Sequence, residues 1–385
     1  MRVLGLMSGT SADAIDCAVA EFSEAGGRLD MRLLWHGEQP WDEGLRARIL
    51  GVLPPATSTV ADWCQLDTEI GQAFGAAASA AIAEAGPVDL IASHGQTLFH
   101  WVENGKARGS LQVGNPAWIQ AATGTPVVSD FRIADIAAGG HGAPLTSTFD
   151  AMWLGETPTA LLNLGGIANV TVVGLSDGAL TGDTGPANCL LDAAAHRFHG
   201  LPADLGGALA RAGRVDERAL AILLADPFFA QPLPRSTGRE YFDGDYVARR
   251  LVDVTLEGAD LFATLTELTA RTVADVINRA SVRRVVASGG GIHNPFLMER
   301  LAALLEAPLL TADELGLPSD AKEAYVFALL GYLSATGRPG VVVGAGGRAA
   351  TGATHPTVLG TLTPAGSGQP AAPAITLALH NQEEA

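Results

Sequence analysis

The chain has 385 residues, 48% hydrophobic and 17% charged, with a formal net charge of −17. That length exceeds one ordinary core, so two domains are expected, and the apolar share excludes a disordered chain. The scattered negative charge repels nucleic acid, so non-specific nucleic-acid binding is not expected and no nucleic-acid partner is assigned.

In chain order, residues 2–8 read as a strand, 14–22 as a second strand paired with it, and 31–41 as a third. Three strands before any convincing helix make an antiparallel meander. One Arg and a short apolar run precede Ser8, which is no signal-peptide layout, and no apolar span of about 18 residues follows. A cytoplasmic protein with no membrane partner is expected. Residues 42–53 and 62–86 read as helices; in the latter Leu66, Ile70 and Phe74 recur every fourth position and Gly86-Pro87 ends the run. Residues 88–100 form a buried strand ending in a polar loop, 116–124 a helix with Pro116 in its first turn, and 125–147 a strand followed by a long Gly-rich loop. Loops of that length usually line sites.

Near residue 158 the pattern restarts. Residues 159–174 give two strands around Gly165-Gly166, and 178–198 a strand, a turn and a helix with Pro186 near its start. Residues 261–280 form an amphipathic helix on Leu261, Leu265, Leu268 and Val276; 283–305 read as strand, glycine loop and helix, and 320–335 as a further helix. The expected division is residues 1–150, completed by residues near 340–364, then 151–340, and a flexible Pro/Gly/Ala-rich tail over 365–385. Cys17, Cys64 and Cys189 are far apart, without metal or CxxC spacing, and read as buried free thiols in a reducing compartment.

Four glycine-rich turns punctuate the strands: Gly9-Thr10-Ser11, Gly165-Gly166, Gly182-Asp183-Thr184-Gly185 and Gly289-Gly290-Gly291. Backbone N–H groups in such turns can surround phosphate oxygens, and a helix starting just after adds partial positive charge. Glycines also mark ordinary hairpins. No GxxxxGK[ST], no GxGxxG opening a βαβ unit and no protein-kinase signature occurs. Asp13 and Asp16 flank the first turn, and Asp183 sits inside the third. Asp13 could hold a hydrated Mg²⁺ ion, and Asp183, between two glycines, suits a general base; turn and helix capping is the competing reading for all three. Arg132 and Asp135 in the long loop, and Arg235, Ser236, Thr237, Arg239 and Glu240, suggest a hydroxyl-rich ligand with an anionic group. His94 and His100, six apart, fit no zinc spacing and read as hydrogen-bonding residues; Gln96 could contact sugar hydroxyls, and Trp101 and Trp118 read as packing residues.

The stretches "GLMSGTSADAID", "SHGQTLFH", "LNLGGIANVT", "GDTGPANCLLD", "RSTGREYF", "SGGGIHNPFLMERL" and "DAKEAYVFALLGY" resemble, in order, those of the anhydro-N-acetylmuramic acid kinase family, from residue 3 to about 364. The resemblance implies an α/β fold of the sugar kinase/Hsp70/actin superfamily: two RNase H-like domains around a nucleotide cleft. It implies ATP and Mg²⁺ as cofactors and 1,6-anhydro-N-acetylmuramic acid as substrate. The products would be N-acetylmuramic acid 6-phosphate and ADP, in peptidoglycan recycling. Carried over by motif, Asp183 is the base that activates water at the anomeric carbon. Gly9, Thr10, Ser11, Ala12, Asp13, Ala14, Ile15 and Asp16 form the first phosphate loop, with Asp13 near the metal. Gly165, Gly166, Gly289, Gly290 and Gly291 complete the nucleotide site. His94, Gln96, Arg132, Asp135 and Glu323 line the sugar side, and a homodimer is implied. The family usually has Gly where Ala14 and Ala187 stand and Gln where His141 stands. Each Ala methyl is tolerable only where φ stays below zero. On the residues alone, another sugar kinase or a non-sugar ATPase of the same superfamily stays open, because a base such as Asp183 suits a sugar hydroxyl equally well.

Overall fold

The structure, a computed structural model, describes residues 1–365 apart from 10–11, 55, 104, 156, 176–179, 234, 239–240, 342–348 and 350. Thr10, Ser11, Arg239, Glu240 and the expected tail beyond residue 365 therefore lie outside the described residues.

Strands β1 (Arg2–Ser8), β2 (Ala14–Ala25) and β3 (Arg28–Pro40) form the expected antiparallel meander. Helix α1 (Glu43–Gly51) is capped by the Asp42 side chain, and α2 (Val60–Ala85) opens on a Thr59/Asp62 capping box and stops at Gly86. Leu66, Ile70 and Phe74 are all buried, as their spacing requires. Strand β4 (Leu90–Glu103) lies parallel to β1, and β5 (Lys106–Val113) folds back on it. This hairpin was not expected, although the sequence carries the Asn104-Gly105 pair that favours one. After α3 (Pro116–Thr123) and β6 (Val127–Ser129), the expected long loop contains two helices, α4 (Ile133–Ala137) and α5 (Thr146–Leu154).

The second half repeats the plan with β7 (Thr159–Leu164), β8 (Ile167–Val173) and β9 (Leu180–Pro186). Helices α6 (Asn188–His199), α7 (Ala208–Ala212), α8 (Glu217–Leu224), α9 (Tyr246–Arg250) and α10 (Gly258–Arg279) follow. Then come β10 (Arg284–Ser288), α11 (Pro295–Leu304), β11 (Leu309–Thr311), α12 (Lys322–Ala335) and β12 (Thr361–Thr363). The first sheet runs β12-β6-β4-β1-β2-β3, with β5 paired to β4; the second runs β11-β10-β7-β8-β9. In each, a meander places its first strand beside a fourth strand running parallel to it, and a fifth runs parallel to the fourth. One topology used twice is the two-unit RNase H-like arrangement that the resemblance implied.

Helix α12 follows β11 in the chain yet packs on the first sheet. Its buried residues Ala324, Tyr325, Ala328 and Leu329 share an apolar layer with Val3, Ala92 and Val128. It sits so close to β1 that a methyl group at Gly5 would collide with the Ala324 carbonyl. The chain thus crosses between sheets twice, outward through α5 and back through α12. The two crossings are joined by a buried ion pair, Lys322 Nζ to Asp150 Oδ1 at 2.9 Å. An isolated charge at either position would carry a large desolvation cost, so the two residues hold each other.

Three expectations about single residues change. Cys17 and Cys189 are buried but Cys64 is exposed. Trp101 and Trp118, read as packing residues, are 49% and 41% exposed. Among the described residues no helix is long and apolar enough to cross a membrane.

Candidate active site

Parallel strands present their carboxyl ends together, and in α/β sheets that is where ligands sit. Here Gly9, Gly165 and Gly289 follow the ends of β1, β7 and β10, and the His94–Gln96 stretch lies inside β4, level with the end of β1.

The turn after β1 is built from outside. Ala12 N–H donates to the Gly9 carbonyl at 3.0 Å and Ala12 itself has φ +49°, an uncommon conformation for alanine. Gln96 Nε2 donates to the Gly9 carbonyl at 3.0 Å, and Arg46 Nε to the Ala12 carbonyl at 2.7 Å. Trp41 Nε1 donates to Ser8 Oγ, which donates to the Ala14 carbonyl. Asp13 stands exposed and pairs with Arg46 Nη2 at 3.1 Å. Asp16, half-buried on β2, is pushed up to about 7 by burial first, then by the negative charges of Glu323, Glu38, Asp320 and Asp13. A carboxyl so surrounded gains from any cation brought among the group.

On the sugar side, His94 is buried, with Nδ1 3.0 Å from the Gly95 carbonyl and Nε2 3.0 Å from Arg132 Nε. The geometry assigns the proton to Nδ1 and makes Nε2 the acceptor. Burial, then the Arg132 charge, hold the imidazole well below its usual range. His94 lies inside β4, not in a loop as the sequence suggested. Arg132 also donates from Nη1 to the Gly142 carbonyl at 2.7 Å; burial lowers it to about 10, against Glu323 and Asp135, which hold it up. Glu323 stands in the first turn of α12, solvent-exposed yet ringed by protein. Burial raises its carboxyl, opposed by Arg132 and Lys322. Asp135 differs: it is fully buried, accepting from Gly142 N–H and Thr351 Oγ1, both at 2.6 Å. It fixes the Gly139–Gly142 loop beneath Arg132.

In the second half the glycine turns pack more tightly. The Gly165 and Gly166 carbonyls accept from the N–H groups of Ala187, Asn188 and Cys189, so this turn caps the start of α6. Ala187 has φ −108° and Ala14 is not among the positive-φ residues, so neither departure from Gly strains the backbone. Gly289 has φ +84°, and a methyl there would strike Asn163 of β7, as one at Gly291 would strike Leu164. Gly290 faces open space. Asp183 sits on β9 opposite Asn169 of β8. Asn169 Nδ2 donates to its Oδ1 at 2.9 Å and Thr237 N–H to its Oδ2 at 2.8 Å. Burial raises the Asp183 carboxyl; the bonds from Asn169, Thr237 and Ser236, and the Arg235 charge, pull the other way. A half-buried carboxylate, raised yet oriented through both oxygens, is suited to accept a proton.

The structure joins the first turn, the start of α12 and the fourth glycine turn into one cluster. Asp320 contributes to the field at Asp16 and lies 3.2 Å from His293, the last residue of the short helix after Gly289. Arg235, read from sequence as a ligand group, is instead bonded to backbone carbonyls around Asp183. Asn169 and the Thr237 N–H escaped sequence reasoning. The position of Asn169 inside "LNLGGIANVT" was the only available signal, and a backbone N–H has none.

The profile of one family, "Anhydro-N-acetylmuramic acid kinase", matches residues 1–365. A protein of that name from Streptomyces avermitilis is 52% identical over 376 residues, covering 96% of each chain. One from Rhodococcus erythropolis is 50% identical over 385 residues, again covering 96% of each. Among solved structures, a xylulose kinase from Rhodospirillum rubrum aligns over 86% of this chain and 90% of its own, with TM-score 0.45 and 14% identity.

Proposed function

The chain belongs to the anhydro-N-acetylmuramic acid kinase family, and from that premise we propose that it uses ATP and water to convert 1,6-anhydro-N-acetylmuramic acid to N-acetylmuramic acid 6-phosphate and ADP, in the cytoplasmic recycling of peptidoglycan. Water adds to the anomeric carbon and gives its proton to Asp183. The C1–O6 bond breaks, and O6 takes the γ-phosphoryl group as ADP leaves. The observation that carries this reading is the Asp183 carboxylate, raised by burial and held through both oxygens. Arg132, with Nε and Nη1 engaged within the protein, would offer Nη2 to the lactyl carboxylate of the sugar. The turn at Gly9–Asp16 and the open face at Gly290 would hold the triphosphate.

Among the described residues no group of three metal-binding side chains occurs. Mg²⁺ keeps several waters and takes one or two carboxylates beside substrate phosphates, and Asp16 stands among the carboxylates of Asp13, Glu38, Asp320 and Glu323. Asp13, with Asp16 deeper in the same cluster, would hold the hydrated ion, which would offset the negative charge of the phosphates.

The test is ADP release with the anhydro-sugar beside N-acetylglucosamine and glucose, run in ¹⁸O-labelled water. Anhydro-sugar-dependent ADP with one ¹⁸O in the sugar product supports the reading. Equal turnover of glucose, or ADP release without sugar, sinks it in favour of a general sugar kinase or an ATPase.

A further inference from the structure

Strand β9 is the edge of the second sheet, so one side of Asp183 lacks a ladder partner from a regular strand. Residues 235–237 fill that side. Asp183 N–H donates to the Arg235 carbonyl at 2.9 Å, and Arg235 Nε returns a bond to the Asp183 carbonyl at 2.9 Å. The rest of the guanidinium is spent on backbone as well. Nη2 donates to the Thr184 carbonyl at 3.1 Å, and Nη1 lies within 3.2 Å of the carbonyls of Phe228, Phe229 and Gln231. The fork also lies over the Phe228 ring, 4.7 Å from its centre. Gly182 makes room for this: a methyl there would strike the Arg235 backbone nitrogen and oxygen at 3.0 and 2.9 Å. One arginine thus ties the strand carrying Asp183 to the 228–231 loop and to its own backbone. Two residues on, the same segment supplies the Thr237 N–H that holds Asp183 Oδ2.

We propose that Arg235 is a positioning residue: it clamps residues 235–237 along β9 so that the Thr237 N–H, with Asn169, fixes the Asp183 carboxylate for proton abstraction. This rests on Asp183 being the base proposed above. Arg235 touches no reacting atom; besides its charge, which lowers Asp183 directly, it acts through the segment it anchors. Thr237→Pro, which keeps that charge, isolates the second effect. Without the clamp, Thr237 N–H leaves Oδ2. The carboxylate loses a donor that favours its charged form, so it holds its proton to higher pH. It also gains rotational freedom, and misplacement by about 1 Å costs on the order of 100-fold in rate.

The test compares Arg235→Gln and Thr237→Pro with the wild-type full chain. The proline removes the N–H itself while keeping Arg235. Three quantities are read: the ¹³C titration of the Asp183 carboxyl carbon, kcat against pH with the anhydro-sugar, and KM for ATP. Both variants should titrate Asp183 about one pH unit higher. In both, the acid limb of kcat should move up with it, kcat should fall on the order of 10- to 100-fold, and KM for ATP should stay within about twofold. A wild-type Asp183 titration in either folded variant overturns the proposal. So does a fall in kcat with the acid limb unmoved, which would mark a purely structural role. If the wild type fails to turn over the sugar, the proposed reaction fails. The carboxyl titration still decides whether the clamp exists.

Discussion

The third residue of β2 is Asp16, which stands opposite Glu38 of β3; the third residue of β8 is Asn169, which stands opposite Asp183 of β9. The two sheets share their topology, so these are corresponding places in one repeated frame. The turns that precede them differ too. Residues 9–13 separate β1 from β2, a span braced by Gln96 and Arg46. Only Gly165 and Gly166 separate β7 from β8, and their carbonyls are filled by the start of α6. On the proposed reading, the paired carboxylates beside the wide turn would take the cation and phosphate. An amide facing a carboxylate beside a closed turn makes a place where one acid is aimed and kept able to ionise. The frame is duplicated; the chemistry divides according to what faces what.

The comparison breaks most sharply at Asp183. Asp183→Asn should lower sugar turnover by about 10³-fold while ATP affinity, read by titration calorimetry, stays unchanged. Next in size, Asn169→Asp gives the second sheet the like-charge pairing of the first. A facing carboxylate raises Asp183 further, and a base works only when deprotonated. Activity at pH 6 should therefore fall on the order of 10-fold and recover as the pH rises; a uniform loss at every pH would contradict this. The wild type should already show an acid limb above the ordinary aspartate value of 3.8, because burial raises Asp183. Asp16→Asn should act on the cation: the Mg²⁺ concentration for half-maximal activity should rise several-fold, by roughly the loss of one carboxylate ligand. The smallest effect is expected from Glu38→Gln. Removing one of the negative neighbours should bring Asp16 down from about 7 by a few tenths of a unit, visible by carboxyl-carbon titration.

Local pattern made much of this frame legible. The meanders around small residues, the every-fourth-residue apolar run of α2 and the strand–glycine–helix order at β10 and α11 are written in short windows of sequence. The β4–β5 hairpin was hidden because its outer part is exposed on both faces, so no apolar alternation marks it; Phe99 and Trp101 lie in the open. Helix α5 was hidden by the Gly/Pro-rich run before it. Site residues were legible by type and not by task. Asp183 and Arg235 could both be picked out as chemically capable. Only the fold shows that one carboxylate is left half-buried and oriented, while the arginine is saturated by carbonyls. Asp135 follows the same rule: total burial with both oxygens bonded makes it a fastener for the loop that carries Gly142.

Lys322 and Glu323 are consecutive in the chain, yet one is fastened to Asp150 on the outward crossing and the other is solvent-exposed. A single peptide bond therefore joins the seam between the two halves to the field felt by Arg132 and Asp16. Because α12 is pressed against β1 at Gly5, it travels with the first sheet, and Glu323 keeps its place beside Arg132 and Asp16.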